Sequence, residues 1–448
     1  MKFNEFKELV IAECTARGIA EYELYYQASS STSVDTFQHT INEFSSSLSG
    51  GLCFRCIVNG RMGYASTEDL SAEQAKAVVV KAMDNAENLE TEEQVFLGEG
   101  GQVYEQLPDR SYAEPTTEEM IAKALETTEK LYGADPMAVD GCQTQIIRGA
   151  EEVAIYNSKG LDLQRSNSYA GVVAVGVVSD GQGMSNDYQI KLGELSKIDT
   201  DKMVKKAIDT AKIKLGGEVA PTGQYPVIFN PDAMCSLLNV YSSIFNSEAA
   251  QKGLSQLAGK EGEVIAADMV TLVDDPFHKD NPEPANFDAE GSPTHKKNII
   301  EKGRLNTLLY NLKTAAVAGK KTTGNASKGG YNASVGISPF TMYLEGGELT
   351  EEELLRKAGN GVYITDLSGL HAGADSISGD FSLQSEGYMI ENGEKTKFVK
   401  SFTVAGNFYE LLKNIVALAD NCQLPNAMGM TAFGAPSVLV EGLSVAGK

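Results

Sequence analysis

The sequence predicts an α+β protein, with an N-terminal domain of mixed sheet and helices followed by a strand-rich C-terminal domain. Helix and strand patterns alternate in the first half without the regular strand–helix–strand order of a parallel α/β sheet. Gly216-Gly217 and Ala220-Pro-Thr-Gly223 then interrupt the pattern, because glycine and proline together end a helix and supply a flexible connection. The second half has many short strand patterns separated by turn residues. We therefore expect domains at 1–220 and 221–448.

The first predicted elements are a helix and a hairpin. A helix is expected from Asn4 as N-cap to Gly18, since asparagine caps the first turn of a helix and glycine ends the last one. Strand patterns follow at 22–26, where apolar and polar residues alternate, and at 52–57. Asn59-Gly60 predicts a tight hairpin after the second of these strands, because both residues tolerate positive φ.

Two hairpin–helix units are predicted in the N-terminal domain. The first ends in a helix opened by Ser71, whose apolar stripe consists of Ala75, Val78, Val79, Ala82 and Ala86. The second unit repeats this order as a strand at Val172–Val178, a turn at 179–183 and a helix at 201–215. The repeated order indicates a possible duplication. The elements expected between the two units are a helix at 117–132 and strands at 143–147 and 152–156.

Two helices are expected inside the strand-rich domain. Thr350 and Glu353 have the spacing of a capping box, and the helix that they open ends at Gly359-Asn-Gly361. The second helix is expected at 408–419, where one face is formed by Leu411, Leu412, Ile415, Val416 and Ala419. The rest of this domain is predicted to consist of strands and turns.

Composition and charge limit the function classes. The net charge of −23 opposes direct binding to nucleic acid, which requires a basic surface. No run of residues approaches the roughly 18 apolar positions of a membrane-spanning helix, and Met1–Glu8 has no apolar signal segment. Six cysteines in 448 residues are too sparse for a disulfide scaffold. We therefore expect an acidic cytoplasmic protein with reduced thiols and no membrane contact.

Local motifs for metal, redox or nucleotide chemistry are incomplete. Cys53 and Cys56 have redox spacing but fall in a strand pattern, which places their side chains on opposite faces. Gly319–Gly324 resembles a phosphate loop, but Thr314 and Lys321 replace the glycine and the Ser or Thr that such a loop requires. The four histidines include no pair at the i, i+4 spacing of a helical zinc site. We therefore interpret these segments as structural.

A few polar residues are candidates for catalysis or substrate binding. His371 lies in a predicted loop and is a candidate general base, because an imidazole exchanges protons near neutral pH, but the sequence favours a solvated loop histidine. Asp288, Glu290 and Asp380 lie in likely tight turns with a glycine nearby. Such carboxylates either perform acid–base chemistry, bind a cation or cap backbone N–H groups of tight turns, and the sequence leaves these alternatives open.

Five motifs rich in Gly, Asn, Asp and Glu carry a family resemblance. With the ending Pro436–Gly447, they make nearly the whole chain resemble the TldD/PmbA family, also labelled modulators of DNA gyrase. The match is most specific from Val227 onward. The motifs also supply candidates for a substrate cleft, namely Asp288, Glu290, Asn325, Asp380 and Asn407. The motifs are Phe287–Thr294, Thr323–Ser327, Ser378–Ser382, Ile390–Glu394 and Ala405–Asn407.

The resemblance implies two subunit types, of which only the TldD type binds zinc through a His-Glu-x-x-x-His helix and a later cysteine. If Gly262–Asp275 is aligned with the segment that follows this helix, the ligand positions fall at Leu238, Asn239 and Ser243. Leucine cannot bind zinc, asparagine is a poor general base and serine is a rare ligand. Cys422 lies near the position of the family's ligating cysteine. We therefore expect no metal on this chain.

The resemblance most favours the PmbA (TldE) type, a pseudoenzyme subunit of a heterodimeric metallopeptidase that acts on unfolded or short peptides. It implies a zinc-bearing TldD-type partner, which this chain completes, and a possible homodimer when the chain is alone. One alternative is a non-enzymatic binding protein that modulates DNA gyrase or a toxin–antitoxin pair. The other alternative is an autonomous, metal-independent hydrolase that uses His371.

Overall fold

A computed structural model describes residues 1–90, 93–108, 114–425 and 431–447. The N-terminal part is one six-stranded antiparallel sheet in the order β3-β2-β1-β4-β5-β6. A helix, a three-stranded meander and a second helix occur twice in this part, which confirms the repeated order expected from the sequence. Its elements are α1 Phe3–Arg17, β1 Glu21–Phe37, β2 Thr40–Val58, β3 Arg61–Thr67, α2 Ala72–Asn88, α3 Thr117–Gly133, β4 Gln143–Asn157, β5 Asp162–Ser179, β6 Met184–Leu192 and α4 Thr200–Leu215.

Local signals explain several of these elements. The Ser71 side chain accepts the Gln74 N–H and begins α2, and the predicted apolar stripe of this helix is buried. Asn59 and Gly60 have φ values of 51° and 77° in the turn between β2 and β3. Each repeated unit packs its two helices on its own part of the sheet, which gives two apolar cores in the N-terminal part.

Three predicted boundaries were wrong. The first helix is capped at Lys2 rather than Asn4, because the Lys2 N–H donates to the Glu5 side chain. The strands expected at 143–147 and 152–156 are one strand, β4, which pairs without interruption with both of its neighbours. The helix expected at 408–419 ends at Lys413, and Ile415–Leu418 forms a strand because it pairs with the C-terminal strand.

The C-terminal part contains shorter elements and two larger sheets. Its strands are β7 Glu218–Val219, β8 Gly223–Phe229, β9 Leu272–Asp274, β10 Lys297–Glu301, β11 Arg304–Leu305, β12 Ala326–Ser327, β13 Gly336–Ile337, β14 Thr341–Leu344, β15 Gly361–Ser368, β16 Asp380–Glu391, β17 Glu394–Asn407, β18 Ile415–Leu418, β19 Ala432–Gly434 and β20 Val438–Ala446. Its helices are α5 Pro231–Tyr241, α6 Ser247–Gln251, α7 Leu312–Val317, α8 Glu351–Ala358, α9 Leu370–Gly373 and α10 Phe408–Lys413. The Thr350 cap on α8 confirms the predicted capping box.

Five C-terminal strands close into a barrel. β20 pairs with both β8 and β17, and the strands β15 and β16 complete the circuit. A second sheet in the order β11-β10-β9-β14-β19 lies against α5 and the barrel, and these elements share the largest apolar core. This arrangement confirms the predicted α+β class with a strand-rich second half.

The two parts meet along several contacts. β7, just before the expected boundary at 220, pairs with β17 of the barrel sheet. The Lys400 ammonium donates to the Lys214 carbonyl at 2.9 Å, which joins β17 to the end of α4. The division into 1–220 and 221–448 stays a prediction. None of the helices in the described ranges has both the length and the apolarity to cross a lipid bilayer.

Candidate functional site

Asp288 anchors two of the sequence motifs to each other. Its side chain is 2% exposed and accepts the N–H groups of Glu290, Ser292 and Ala326, each at 2.9 Å. The first two donors belong to its own turn, and the third begins β12. Burial raises the pKa of Asp288 to about 6, although the three N–H donors act in the opposite direction. The carboxylate therefore organises the backbone where the motifs Phe287–Thr294 and Thr323–Ser327 meet.

Glu290 continues this cluster toward the N-terminal sheet. Its carboxylate is buried and accepts the N–H of Leu312, the first residue of α7, at 2.8 Å. Burial, followed by repulsion from Asp288, raises the pKa of Glu290 to about 7, while the Arg55 charge lowers it. Arg55 also forms a buried ion pair with Glu23 at 2.6 Å. Glu290 thus couples a C-terminal turn to charged residues of β1 and β2.

Two glycines in these motifs cannot be replaced without strain. Gly291 has a φ of 77°, and a Cβ atom there would lie 2.4 Å from Cδ1 of Leu161. Gly324 has a φ of 69°, and its Cβ would lie 2.4 Å from the carbonyl oxygen of Pro293. Both positions require the left-handed backbone and the close approach that glycine permits. The glycine content of the motifs is therefore explained by turn geometry.

Asn325 lies in the same region and contacts a residue that the sequence analysis missed. Its amide donates to Oδ2 of Asp274 at 2.8 Å and to the carbonyl of Ser338 at 3.0 Å. The Lys297 ammonium also contacts Asp274 at 3.0 Å, and both side chains of this pair are buried. Asp274 was missed because its only local signal is an acidic residue at the end of an apolar run. Asp288, Glu290 and Asn325 thus share one buried polar layer.

Asp380 and Asn407 lie together in a different place. The Asn407 amide donates to Asp380 Oδ1 at 2.8 Å, while its own oxygen caps α10 by accepting the N–H groups of Tyr409 and Glu410. The Tyr241 hydroxyl donates to the Asp380 carbonyl, which ties this pair to the end of α5. In the described ranges, no hydrogen bond or ion pair connects it to the Asp288 layer. The five cleft candidates therefore divide into two groups.

His371 has no catalytic surroundings. It is exposed on α9, a helix of 4 residues. No hydrogen bond or ion pair links it to a serine or carboxylate within the residues that the structure describes. A general base must lie within hydrogen-bond reach of the group that it activates. The geometry thus supplies no nucleophile for His371.

The positions that the resemblance aligns with zinc ligands lie at the end of α5. Leu238 is 1% exposed and packs in the apolar core, whereas Asn239 and Ser243 face solvent. Cys422 is partly buried and directs its thiol to the Leu344 carbonyl at 3.3 Å, and burial raises its pKa to about 11. Among the described residues, no group of three His, Cys, Asp or Glu side chains is arranged to hold a metal. These residues do not fit zinc, which requires thiolate, imidazole or carboxylate donors.

A large cleft of about 870 Å³ lies between the two parts of the chain. β6 is the edge strand of its sheet, and the segment 187–193 lines the cleft. Asp232 and Ser236 of α5 line the opposite side, together with Cys422. The edge matters because an outer strand presents backbone N–H and C=O groups without a partner strand. Neither the cleft nor the open edge of β6 could be located from the sequence.

Charged residues cross this cleft. The Lys214 ammonium lies 3.3 Å from Asp187 and 3.4 Å from Glu386, so it links β6 to β16. Burial raises the pKa values of Asp187 and Asp232, while Lys214 and Lys206, respectively, oppose that change. The cleft therefore combines a strand edge with ionisable groups of both signs.

Comparison with known families matches three segments of the chain. Residues 22–86 match domain 1, residues 110–215 the central domain and residues 222–447 the C-terminal domain of PmbA/TldA metallopeptidases. All three models describe one family of metallopeptidases, and together they cover most of the chain. The chain belongs to the PmbA/TldD family.

Three relatives illustrate the similarity. The metalloprotease PmbA of Escherichia coli O157:H7 is 25% identical over 89% of this chain and 86% of its own length. The crystal structure of a candidate modulator of a DNA gyrase from Thermotoga maritima has a TM-score of 0.89 and 29% identity, covering 99% of this chain and 100% of that one. The structure of TldE from Thermococcus kodakarensis has a TM-score of 0.88 and 25% identity, covering 98% and 99%.

Proposed function

We propose that this chain is the non-metal subunit of a two-subunit peptidase that cleaves unfolded or short peptides. The observation that carries the proposal is the donor set at the end of α5, where Leu238 is buried and Asn239 and Ser243 offer no suitable zinc ligand. The same chain matches metallopeptidase domains over most of its length. Zinc and the catalytic base then belong to a TldD-type partner.

The role of this chain is to complete the substrate chamber. The cleft beside β6 supports this role, because an unfolded peptide can extend a sheet by pairing with an open strand edge. Residues 187–193 line the cleft along the length of such a strand. Backbone pairing is independent of side-chain sequence and therefore suits a peptidase with varied unfolded substrates. The ion pair between Lys214 and Asp187 lies beside this edge.

The partner in this proposal is a zinc-bearing family member. Relatives that match this chain include proteins named PmbA and proteins named TldD. One of the latter is the TldD homologue of Buchnera aphidicola, which is 26% identical over 60% of this chain and 58% of its own length. The similarity to the Thermococcus protein named TldE supports the proposal that this chain is the non-metal subunit. We also propose that the chain forms a two-fold homodimer when its partner is absent, because two-fold dimers are the commonest oligomers of soluble proteins.

Two other functions are weighed against this one. An autonomous hydrolase based on His371 would need a nucleophile beside that residue, and the described structure offers none. A binding protein that modulates DNA gyrase or a toxin–antitoxin pair would act through protein contact alone, and no particular surface favours it. Direct nucleic-acid binding is opposed by the net charge of −23.

Reconstitution tests the proposal. The purified chain is mixed with a zinc-bearing TldD-type relative, and cleavage of an unfolded peptide is followed by mass spectrometry. Cleavage should require both chains and should survive the substitution His371→Ala. Peptides N-methylated at alternate backbone amides should be cleaved more slowly, because they cannot pair with β6. Cleavage by this chain alone, or no cleavage by a complex with a competent zinc subunit, would contradict the proposal.

A further inference from the structure

A second, much smaller cavity of about 60 Å³ lies where the N-terminal sheet contacts the C-terminal turns. Its walls include Tyr25 of β1 and Arg165 of β5 on one side. On the other side it is lined by Phe287 and Asp288 from one sequence motif, and by Lys328, the residue after another. Two of the motifs therefore converge on a space large enough for a few atoms of a ligand.

Lys328 is the unusual residue of this cavity. It is 5% exposed, yet within the described residues its ammonium has no hydrogen bond and no carboxylate within ion-pair distance. Its Nζ lies 4.4 Å from the centroid of the Tyr25 ring and makes a cation–π contact with it. A buried charge is costly unless it is paired, and burial accordingly lowers the pKa of Lys328. Among the described residues, this largely buried lysine thus has no counter-ion at ion-pair distance.

Three of the nearby carboxylates, those of Glu23, Glu151 and Asp288, are already engaged. Glu23 is paired with Arg55 at 2.6 Å. Glu151 accepts the Gln27 amide at 2.8 Å and lies 3.7 Å from Arg165. The Asp288 carboxylate, as described above, is occupied by three backbone N–H groups. Within the described structure, Nε of Arg165 is also buried without a hydrogen-bond partner. Oε1 of Gln27, also in the cavity wall, is likewise buried without a partner there. The Lys328 ammonium and the Arg165 Nε therefore remain donors that a ligand in the cavity could use.

We propose that this cavity binds a carboxylate group, with the Lys328 ammonium as its counter-ion. The cavity accommodates a head group of this size with a short apolar stem, since Phe287 and Phe340 form part of its wall. Glu151, Glu283 and Asp288 also line it. Their negative charge opposes every anion, but a dianion such as phosphate more strongly than a monoanion. No catalytic step is assigned to the site.

Two sources can supply the carboxylate, namely a free small acid or the C-terminus of a peptide. The peptide source rests on the proposed function, whereas binding of a carboxylate does not. The probes are sodium acetate, N-acetyl-trialanine with a free carboxylate and the same tripeptide as its C-terminal amide. Each is titrated calorimetrically into the full chain alone at constant ionic strength.

Acetate and the peptide acid should bind saturably at one site per chain, and the amide should not bind. Lys328→Met should weaken this binding at least tenfold, because it keeps the side-chain length but removes the charge. Lys321→Met, at an exposed lysine of the preceding loop, should leave it unchanged. A tighter peptide acid identifies a peptide C-terminus as the source, and equal affinities identify a free acid.

A second variant keeps the proposal testable if Lys328→Met does not fold. Glu283→Gln removes a competing negative charge from the cavity wall, so it should tighten acetate binding at pH 8. No saturable binding of either carboxylate probe would overturn the proposal, as would wild-type affinity in folded Lys328→Met. The zinc subunit is absent from these titrations. A failure here is therefore distinct from a failure to reconstitute peptidase activity.

Discussion

Replacement of Asp288 by alanine tests whether this residue stabilises the motifs or acts in catalysis. The substitution removes an acceptor for three buried backbone N–H groups, of Glu290, Ser292 and Ala326. Each N–H group left without a partner costs about 1–3 kcal/mol. The loss is partly offset, since the native protein no longer buries a carboxylate whose pKa is raised to about 6. That offset is ~3 kcal/mol at neutral pH.

The three unpaired N–H groups lower the free energy of unfolding, and the removal of the buried carboxylate raises it. The net expectation is a decrease of ~3 kcal/mol, near the middle of the range given by these two contributions. Urea titration followed by circular dichroism at pH 7 measures this value through the linear dependence on denaturant. Asp380→Ala is the matched control. Asp380 is exposed and bonded to Asn407, so its replacement should change the free energy by less than ~1 kcal/mol. A change below ~0.5 kcal/mol for Asp288→Ala would refute this assignment.

Three other perturbations test the buried layer around these motifs. Burial and the charge of Glu151 raise the pKa of Glu283 from 4.5 to about 7. The free energy of unfolding should therefore fall as the pH rises from about 4.5 to about 7, because the folded protein holds this proton more tightly than the unfolded chain does. In urea titrations, Glu283→Gln should remove ~2–3 kcal/mol of this fall. Gly291→Ala should destabilise the chain by ~2 kcal/mol in thermal unfolding. The double variant with Leu161→Ala should lose less stability than the sum of the two single variants, because the smaller side chain removes the clash. Glu23→Gln should cost ~3–5 kcal/mol by calorimetry, because Arg55 stays buried without its counter-ion.

The predictable parts of the fold are those that local sequence determines. The Ser71 cap and the turn at Asn59-Gly60 were predicted correctly because their hydrogen bonds and φ values involve neighbouring residues. The second half of the helix expected at 408–419 was wrong, since Ile415–Leu418 pairs with β20, a strand about twenty residues later. Apolar positions at helical spacing could not reveal that pairing.

The candidate sites show the same limit. The glycine-rich motifs identified the segments that meet around Asp288, but its contact with the Ala326 N–H joins residues 38 positions apart. Lys328 carried no signal at all, because a lysine after a turn ordinarily lies on the surface. Its burial depends on contact between β1 and a C-terminal loop. The open edge of β6 depends on strand order, which local pattern does not determine.

The central claim is that the zinc of the complex is bound by the partner and not by this chain. Zinc content can be measured by inductively coupled plasma mass spectrometry, with native mass spectrometry of the same samples giving the subunit composition. We predict less than about one-tenth of a zinc per chain for this protein alone and about one zinc per heterodimer in the active complex, because a single catalytic site with an open coordination position holds one zinc ion. Stoichiometric zinc on the isolated chain, retained after dialysis and accompanied by peptide cleavage, would contradict the account.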